Sequence, residues 1–413
     1  MYPQFLSSLT KEIELKLRST LLNCYENFNF YRRRFKESGV AYDDLASGPP
    51  TEIMSSLPLL DGDSLPELSS ESISSIGNIV DMETSSGTTG DRKKRFISQT
   101  DDLSDHRLMA EMFRFCSINQ SDRVVCLDTD PAYLMISFAR ALDLLGVEEV
   151  YNYAVGPDFR RELAKLPSLE PTTIFTVPSL LERSLAELEE FQKSPSGSVQ
   201  KIVFLGERVP NALRTRLEKE WEVEVFSYYG AAETSSLGIE CTTHEGIHLF
   251  TTHNLFEVTN KPPELVVTSL KQATLPLLRY KLGDLVDHIP SECRCGSSYP
   301  RVKVNGRVGD TFTIFGSDFH YESLLQSMYR DQNEIGFMQI SITRTDRDVL
   351  TIVVPEEQRV NEKFLKQSLL REQMELDFLI ASRFADLQFM YVDQEYFQSA
   401  RKMKLVTDQR PTL

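Results

Sequence analysis

The sequence predicts an α/β fold: a large domain with parallel sheets and a β-rich subdomain, then a small α+β domain. Three features carry that expectation. Short apolar runs alternate with helical stretches between residues 123 and 230, short strands with turns take over from about 246 to 315, and mixed helix and strand return after that. At 413 residues, 41% apolar and 26% charged, the chain can bury more than one core and is far from a disordered composition.

Residues 5 to 40 place apolar and charged positions at helical spacing and end in Gly39, so they read as a helix and its continuation. Residues 47 to 78 are rich in Pro, Gly and Ser and read as loop with short turns. "TDDLSDHRLMAEMFRFC" has acidic caps and an apolar stripe, hence a helix, and "RVVCLDT" and "EEVYNYAV" are strand-length apolar runs. A helix near 158 to 166, the strand "TTIFTV", the helix "SLLERSLAELEEFQ", the strand "KIVFLG", the helix "NALRTRLEKEWE" and the strand "VEVFSYYG" follow in turn. Crossovers of this length make such strands parallel. "PELVVTSL" and "TFTIFG" mark the β-rich stretch.

The formal charge of −16 sets the field of the whole molecule against an extended nucleic-acid surface, although a local basic cleft can still take small anions. No apolar run reaches the roughly 20 residues of a membrane span, and the first residues lack the apolar core of a signal peptide. A cytoplasmic protein is therefore expected, without nucleic-acid or membrane partners. Its six cysteines then read as reduced or metal-bound rather than as a disulfide framework.

From Ser85 to Gly90 every residue is Ser, Thr or Gly, and Arg92, Lys93 and Lys94 follow at once. Backbone N–H groups in a glycine-containing turn form an anion-binding nest; here Gly87 and Gly90 supply the turn while Ser85, Ser86, Thr88 and Thr89 add hydroxyl donors. The spacing is not that of a Walker loop. A solvated Ser/Gly linker is the alternative reading. "YYGAAETSS" sets Glu233 just past a strand ending at Tyr229 and Gly230, at the carboxyl end where ligands of open α/β sheets collect. "YKLGDLV" offers Asp284 to accept bonds from two ribose hydroxyls, and "NGRVGDTFTIFG" offers Arg307 beside two glycines. Singly, each also reads as a turn or a surface charge; their order is the signal.

That order resembles the adenylate-forming superfamily of acyl-CoA synthetases, peptide-synthetase adenylation domains and luciferases, and within it the phenylacetate-CoA ligase family. "CYENFNFYRRRFKESGV", "SSGTTG", "FLGERVP", "YYGAAE", "RYKLGDL" and "NGRVGD" follow in that family's order across nearly the whole chain. The resemblance implies that Ser85, Ser86, Gly87, Thr88, Thr89 and Gly90 close over the β- and γ-phosphates of ATP, with Lys93 beside them. It implies that Tyr229 packs on adenine, Glu233 holds Mg²⁺, Asp284 takes the ribose hydroxyls and Arg307 contacts ribose or phosphate. Gly206, Glu207, Tyr228, Gly230 and Ala231 complete the implied nucleotide site, and Thr88, Thr89 and Glu233 join Lys402 as the catalytic set. Lys402, in "ARKMKLVTD", matches the lysine that crosses between the attacking carboxylate and the α-phosphate.

The chain departs from that pattern in several places. Ala232 stands where Thr or Ser is usual, Gly309 where the hinge is usually Asp, Arg401 where glycine is common, and Arg92 where proline is frequent. The glycine-rich version of residues 128 to 140 is also absent, which puts bulkier side chains in the expected acid pocket; Tyr133, Phe138 and Tyr228 are aryl-pocket candidates or plain core.

"ECTTHEGIH" and "ECRCG" bring a further expectation. Cys293 and Cys295, one residue apart before a glycine, can turn towards one ion, and Cys241 with His248 from another loop would complete a closed tetrahedral Cys₃His zinc site. His244 competes for the fourth place. The pattern resembles metal-binding members of the same ligase family.

The expected function is ATP-dependent activation of a small carboxylic acid, aryl or otherwise, through an acyl-adenylate, then transfer to coenzyme A. Residues 1–308 would bind ATP and acid, with the β-rich zinc subdomain at about 240–308, and residues 309–413 would form a mobile C-terminal domain. A carrier-protein phosphopantetheine thiol or an amine is the alternative acceptor, and a catalytically impaired nucleotide-binding scaffold is the alternative class. A single copy and a homodimer are both left open.

Overall fold

The structure, a computed structural model, describes residues 4–6, 9–75, 78–84, 94–128, 133–155, 163–185, 188, 192, 197–206, 208–314, 317–329, 338–393, 396–397 and 405–410. They fall into two compact units. The larger takes the described residues up to Val304 apart from Gly283–Leu285, and the smaller takes Gly283–Leu285 with those from Asn305 onward.

In the larger unit the chain opens with two helices, Lys11–Asn27 and Asn29–Glu37. Thr10 caps the first by accepting from the Ile13 N–H at 3.3 Å, and Ile13, Leu17, Leu21 and Cys24 fall on one buried stripe. Phe28, Tyr31 and Phe35 bury the second, and the Tyr31 hydroxyl donates to the Pro276 carbonyl and accepts from the Leu278 N–H at 3.2 Å. Residues 47–78 are more ordered than expected. They carry helices Pro50–Ser56 and Leu65–Ser75, the first opened by a proline at its first position, where no N–H is needed. Serine's weak helix preference in 65–75 is overridden because Leu65 and Leu68 are fully buried.

The parallel strands arise as expected. In spatial order they are Glu149–Ala154, Arg123–Asp128, Thr173–Thr176, Lys201–Phe204 and Glu224–Ala231, each pair parallel. Val124, Val125, Cys126 and Leu127 are all buried, the unbroken apolar run of a strand covered on both faces. The helix Gln99–Phe115, capped by Ser98 accepting from the Asp101 N–H at 3.2 Å, covers one face. Helices Tyr133–Asp143, Pro178–Arg183 and Asn211–Glu220 provide other crossovers. Most of the helix expected near 158 to 166 lies outside the described residues; Leu166–Leu169 is a short 3-10 turn.

At Glu224–Ala231 the sheet changes character. Its other neighbour, Ser235–Glu240, is antiparallel, and the sheet continues through Ile247–Leu249, Arg301–Arg307, Tyr280–Ile289, Glu264–Ser269 and Asn254–Val258 to Gln4–Phe5, twelve strands among the described residues. This is the β-rich stretch of the sequence.

The smaller unit is α+β. Its four-stranded sheet runs Ala385–Val392, Asp348–Pro355, Gln339–Arg344, Val406–Asp408, the central pair antiparallel and the outer pairs parallel. Helices Tyr321–Tyr329, Glu362–Glu372 and Met374–Ala381 supply Leu324, Leu365, Leu369 and Leu376 to a core shared with Ile340, Ile342, Leu350 and Ile352.

Candidate active site

Residues 85–93, which hold the Ser85–Gly90 motif and Lys93, lie outside the described residues, as do Glu207 and Lys402. What the structure describes is the frame around them. The strands Ile79–Thr84 and Lys94–Ser98, which flank the motif in sequence, pair antiparallel, with Thr84 opposite Lys94.

The carboxyl ends of the parallel strands lie in the same unit. Gly206, just past Lys201–Phe204, has φ +74°, a backbone state that L side chains rarely adopt. Along Glu224–Ala231 the register with Ser235–Glu240 shifts between Tyr229 and Gly230, and Ala231 faces Ser235. A Cβ on Gly230 would stand 2.6 Å from the Ser235 carbonyl oxygen, so only glycine fits the irregularity. Tyr228 is anchored by a hydrogen bond between its hydroxyl and Ser236 Oγ, and burial pushes its phenol well above the usual range. Its ring packs on Phe138 at 5.5 Å and Phe113 at 6.3 Å, and these two join Phe175 in one aromatic cluster. Phe138 and Tyr228 thus serve the core; the Tyr133 side chain lies outside the described residues. Tyr229 and Ala231 sit half-buried against the other core, beneath the N-terminal helices.

Glu233 follows at the turn. Its carboxylate accepts from the Tyr280 hydroxyl at 3.4 Å and its carbonyl from Gln272 Nε2 at 3.3 Å. A carboxylate is the hard oxygen donor that Mg²⁺ prefers, so Glu233 suits the metal role. Nothing in the sequence singles out Tyr280 as its partner, although it lies in "RYKLGDL" beside Arg279.

In the smaller unit Asp284 and Arg307 meet. Arg307 Nε lies 3.1 Å from Asp284 Oδ1, with Asp284 mostly buried and Arg307 exposed. The Arg307 N–H also donates to Asp310 Oδ2 at 3.1 Å. Two residues that the sequence singled out for the nucleotide are thus side by side.

The cysteine–histidine set converges in the larger unit. Ligand atoms of Cys241, His248, Cys293 and Cys295 all lie within 4.8 Å of one another. Cys241 Sγ is 3.7 Å from Cys293 Sγ, and Cys295 Sγ is 3.5 Å from His248 Nε2. A tetrahedron with zinc–sulfur and zinc–nitrogen bonds of ordinary length has edges of about 3.8 and 3.6 Å for those pairs, so these two distances match the donor spacing of a zinc ion. His248 is fully buried, and burial with the nearby Arg301 charge lowers its imidazole pKa, favouring the neutral ligand form. Burial raises the Cys293 thiol, but hydrogen bonds from Thr243 and the Cys295 backbone overcome it and bring it to about 7; burial leads in pushing Cys295 up to about 11. His244, the alternative ligand, turns elsewhere. Its Nδ1 is 3.2 Å from Arg214 Nη1 and its ring lies 5.5 Å from that of Phe226, tilted by 44°.

Residues 58–261 match the family described as AMP-binding enzyme, a span that includes the 85–90 motif, Gly206 and Glu233. More particularly, the chain is similar to the phenylacetate-coenzyme A ligase of Escherichia coli, 24% identical over 80% of this chain and 78% of that protein. It is likewise similar to the phenylacetate-coenzyme A ligase of Thermus thermophilus, 27% identical over 76% of this chain and 75% of that one. Its fold matches the crystal structure of 2-hydroxyisobutyryl-CoA ligase in the postadenylation state with TM-score 0.77, covering 96% of this chain and 89% of that chain at 20% identity. The same ligase in its thioesterification state matches with TM-score 0.65 at 21% identity, covering 97% of this chain and 89% of that chain.

Proposed function

We propose that this chain is an AMP-forming acid–thiol ligase that activates a small carboxylic acid with ATP and passes the acyl group to coenzyme A. The observation that carries the reading is the match to the AMP-binding enzyme family over residues 58–261, with Glu233 at the carboxyl end of a strand in the mixed sheet. That the relatives are named coenzyme A ligases supports the acceptor.

In the first step a carboxylate oxygen attacks the α-phosphorus of ATP, the bond from that phosphorus to the oxygen bridging to the β-phosphate breaks, and pyrophosphate leaves. In the second the thiol sulfur attacks the acyl carbon, AMP departs with the bonding pair and the thiol proton passes to solvent. No side-chain nucleophile is needed; the protein positions and stabilises charge. Residues 85–90 with Lys93 would hold the phosphates, Asp284 and Arg307 the ribose, Tyr229 the adenine, and Lys402 the pair of oxygens that react. Mg²⁺ held at Glu233 would neutralise phosphate charge. Rotation of residues 309–413 between the steps would withdraw Lys402, a reading supported by the distinct states described for 2-hydroxyisobutyryl-CoA ligase. Cys241, His248, Cys293 and Cys295 would hold a structural zinc, since four protein ligands leave no open position. With all six cysteines free, a reducing cytoplasmic setting suits the chain.

Carboxylate-dependent exchange of pyrophosphate into ATP across aryl, fatty and amino acids tests the reading, followed by acyl transfer to coenzyme A against a set of carrier proteins. Exchange with one acid class and transfer to free coenzyme A is the expected result. ATP binding without exchange for any acid would instead favour a nucleotide-binding scaffold, for which the Ala232 and Arg401 departures speak.

A further inference from the structure

The strand pair Ile79–Thr84 and Lys94–Ser98, which flanks residues 85–93 in sequence, is tethered at three successive residues of its second strand. Ser69 Oγ, on helix Leu65–Ser75, donates to the Lys94 carbonyl at 2.6 Å. The Arg95 guanidinium, 4% exposed, donates to Asp105 Oδ2 at 2.9 Å and to its cross-strand partner Glu83 at 3.0 Å. Thr274 Oγ1 donates to the Phe96 carbonyl at 2.6 Å. The Arg95 link then extends further. Asp105 Oδ1 meets Lys271 Nζ at 2.7 Å, and Lys271 donates to the Ser236 carbonyl at 3.0 Å. Ser236 lies opposite Gly230 and bonds the Tyr228 hydroxyl.

The network pairs two cations with two anions and is neutral as a whole, so it draws no anion from a distance. Nor is it needed merely to fill space, because apolar residues of like volume hold a core as well as buried ions do. What bidentate, charge-assisted bonds add is fixed direction. We propose that Arg95, Asp105 and Lys271 are positioning residues for the nucleotide: they lock the ends of the phosphate-binding segment, Thr84 and Lys94, to the strand that follows Glu233. The proposal rests on the adenylating reading above. Charge balance on both sides of the network supports it: burial alone would raise the Asp105 carboxyl, yet Lys271 and Arg95 hold it below the usual range.

The test is equilibrium binding of ATP with Mg²⁺ to the full chain, with thermal stability and exchange kinetics beside it. Arg95→Met and Asp105→Asn should weaken ATP binding about tenfold, with the KM for the acid unchanged. Arg95→Lys separates geometry from charge, because an ammonium cannot bridge Asp105 and Glu83 as the guanidinium fork does. It should recover most of the melting temperature but not the ATP affinity, whereas a merely structural arginine would recover both. Asp122→Asn is the control: it breaks a buried ion pair of the same kind, Lys201–Asp122 at 3.0 Å, at the amino ends of the parallel strands. It should lower the melting temperature while leaving ATP affinity within about twofold. If the buried variants fail to fold, half-buried Glu83→Gln should still weaken ATP about threefold. Folded Arg95, Asp105 or Glu83 variants that bind ATP like wild type, or an Asp122→Asn loss of equal size, would overturn the proposal. Wild-type protein that binds no ATP would instead overturn the adenylating reading.

Discussion

His253 should make the larger unit lose stability on mild acidification. Its Nδ1 is paired with Thr252 Oγ1 at 2.9 Å, and the Thr252 carbonyl accepts from Lys16 Nζ at 3.1 Å. Burial first, then the charges of Lys271 and Lys16, pull the imidazole down from 6.5 to about 4, with Asp105 and Glu12 opposing. The sign follows from proton counts. Between pH 6.5 and about 4 the unfolded chain binds a proton at His253 that the folded chain does not, so stability rises with pH across that window and falls as acid is added. Taking those two values, the loss between pH 7.5 and 5.0 comes to about 2 kcal/mol. Urea unfolding followed by fluorescence measures it directly, because the single tryptophan, Trp221, is buried in this same unit. The Asp105, Asp122 and Glu240 carboxyls are all held below their usual values, so their acid-linked losses set in at lower pH than that of an imidazole, while His248, also lowered by burial, adds a loss of the same sign as His253. His253→Gln keeps a partner for Thr252 and should flatten the dependence. Wild type and variant with parallel curves, differing by under about 0.5 kcal/mol, would refute the reasoning.

Arg279 is buried and bidentate to Glu257 at 3.1 and 3.0 Å, and donates to the Met54 and Leu57 carbonyls at the end of a helix. Arg279→Met should therefore cost about 3–5 kcal/mol in urea unfolding, and adding Glu257→Leu should restore part of it. Metal analysis of protein prepared without chelator should find about one zinc per chain, and Cys293→Ser or His248→Ala should lower both zinc content and melting temperature. Asp284→Ala should raise the KM for ATP about tenfold or more while leaving zinc content intact. Lys402→Ala should slow adenylate formation about a hundredfold yet leave thioester formation from supplied acyl-adenylate nearly unchanged; equal loss in both steps would contradict its role.

Much of the architecture was legible because the parallel strands are buried on both faces and advertise themselves as unbroken apolar runs. Helix Leu65–Ser75 was not, because its serines mask the two leucines that tertiary packing buries. The cysteines at 241, 293 and 295 announced a shared site by residue type. The sequence preferred His248 and kept His244 as a competitor; in the structure His248 joins the three cysteines, while His244, at φ +53°, sets its ring beside Phe226. Arg95, Asp105 and Lys271 escaped notice. In a polar stretch such residues read as solvated surface, and only the fold reveals that they face one another inside.

The strand Glu224–Ala231 has parallel company on one flank and antiparallel company on the other. Glu224–Ser227 pair with the parallel neighbour and Tyr228–Ala231 with the antiparallel one, so a residue inserted within either half would put that half out of step with its own partner. New acid preferences would have to come from the helices and turns that surround this strand, while the strand itself stays the fixed ruler against which they are measured.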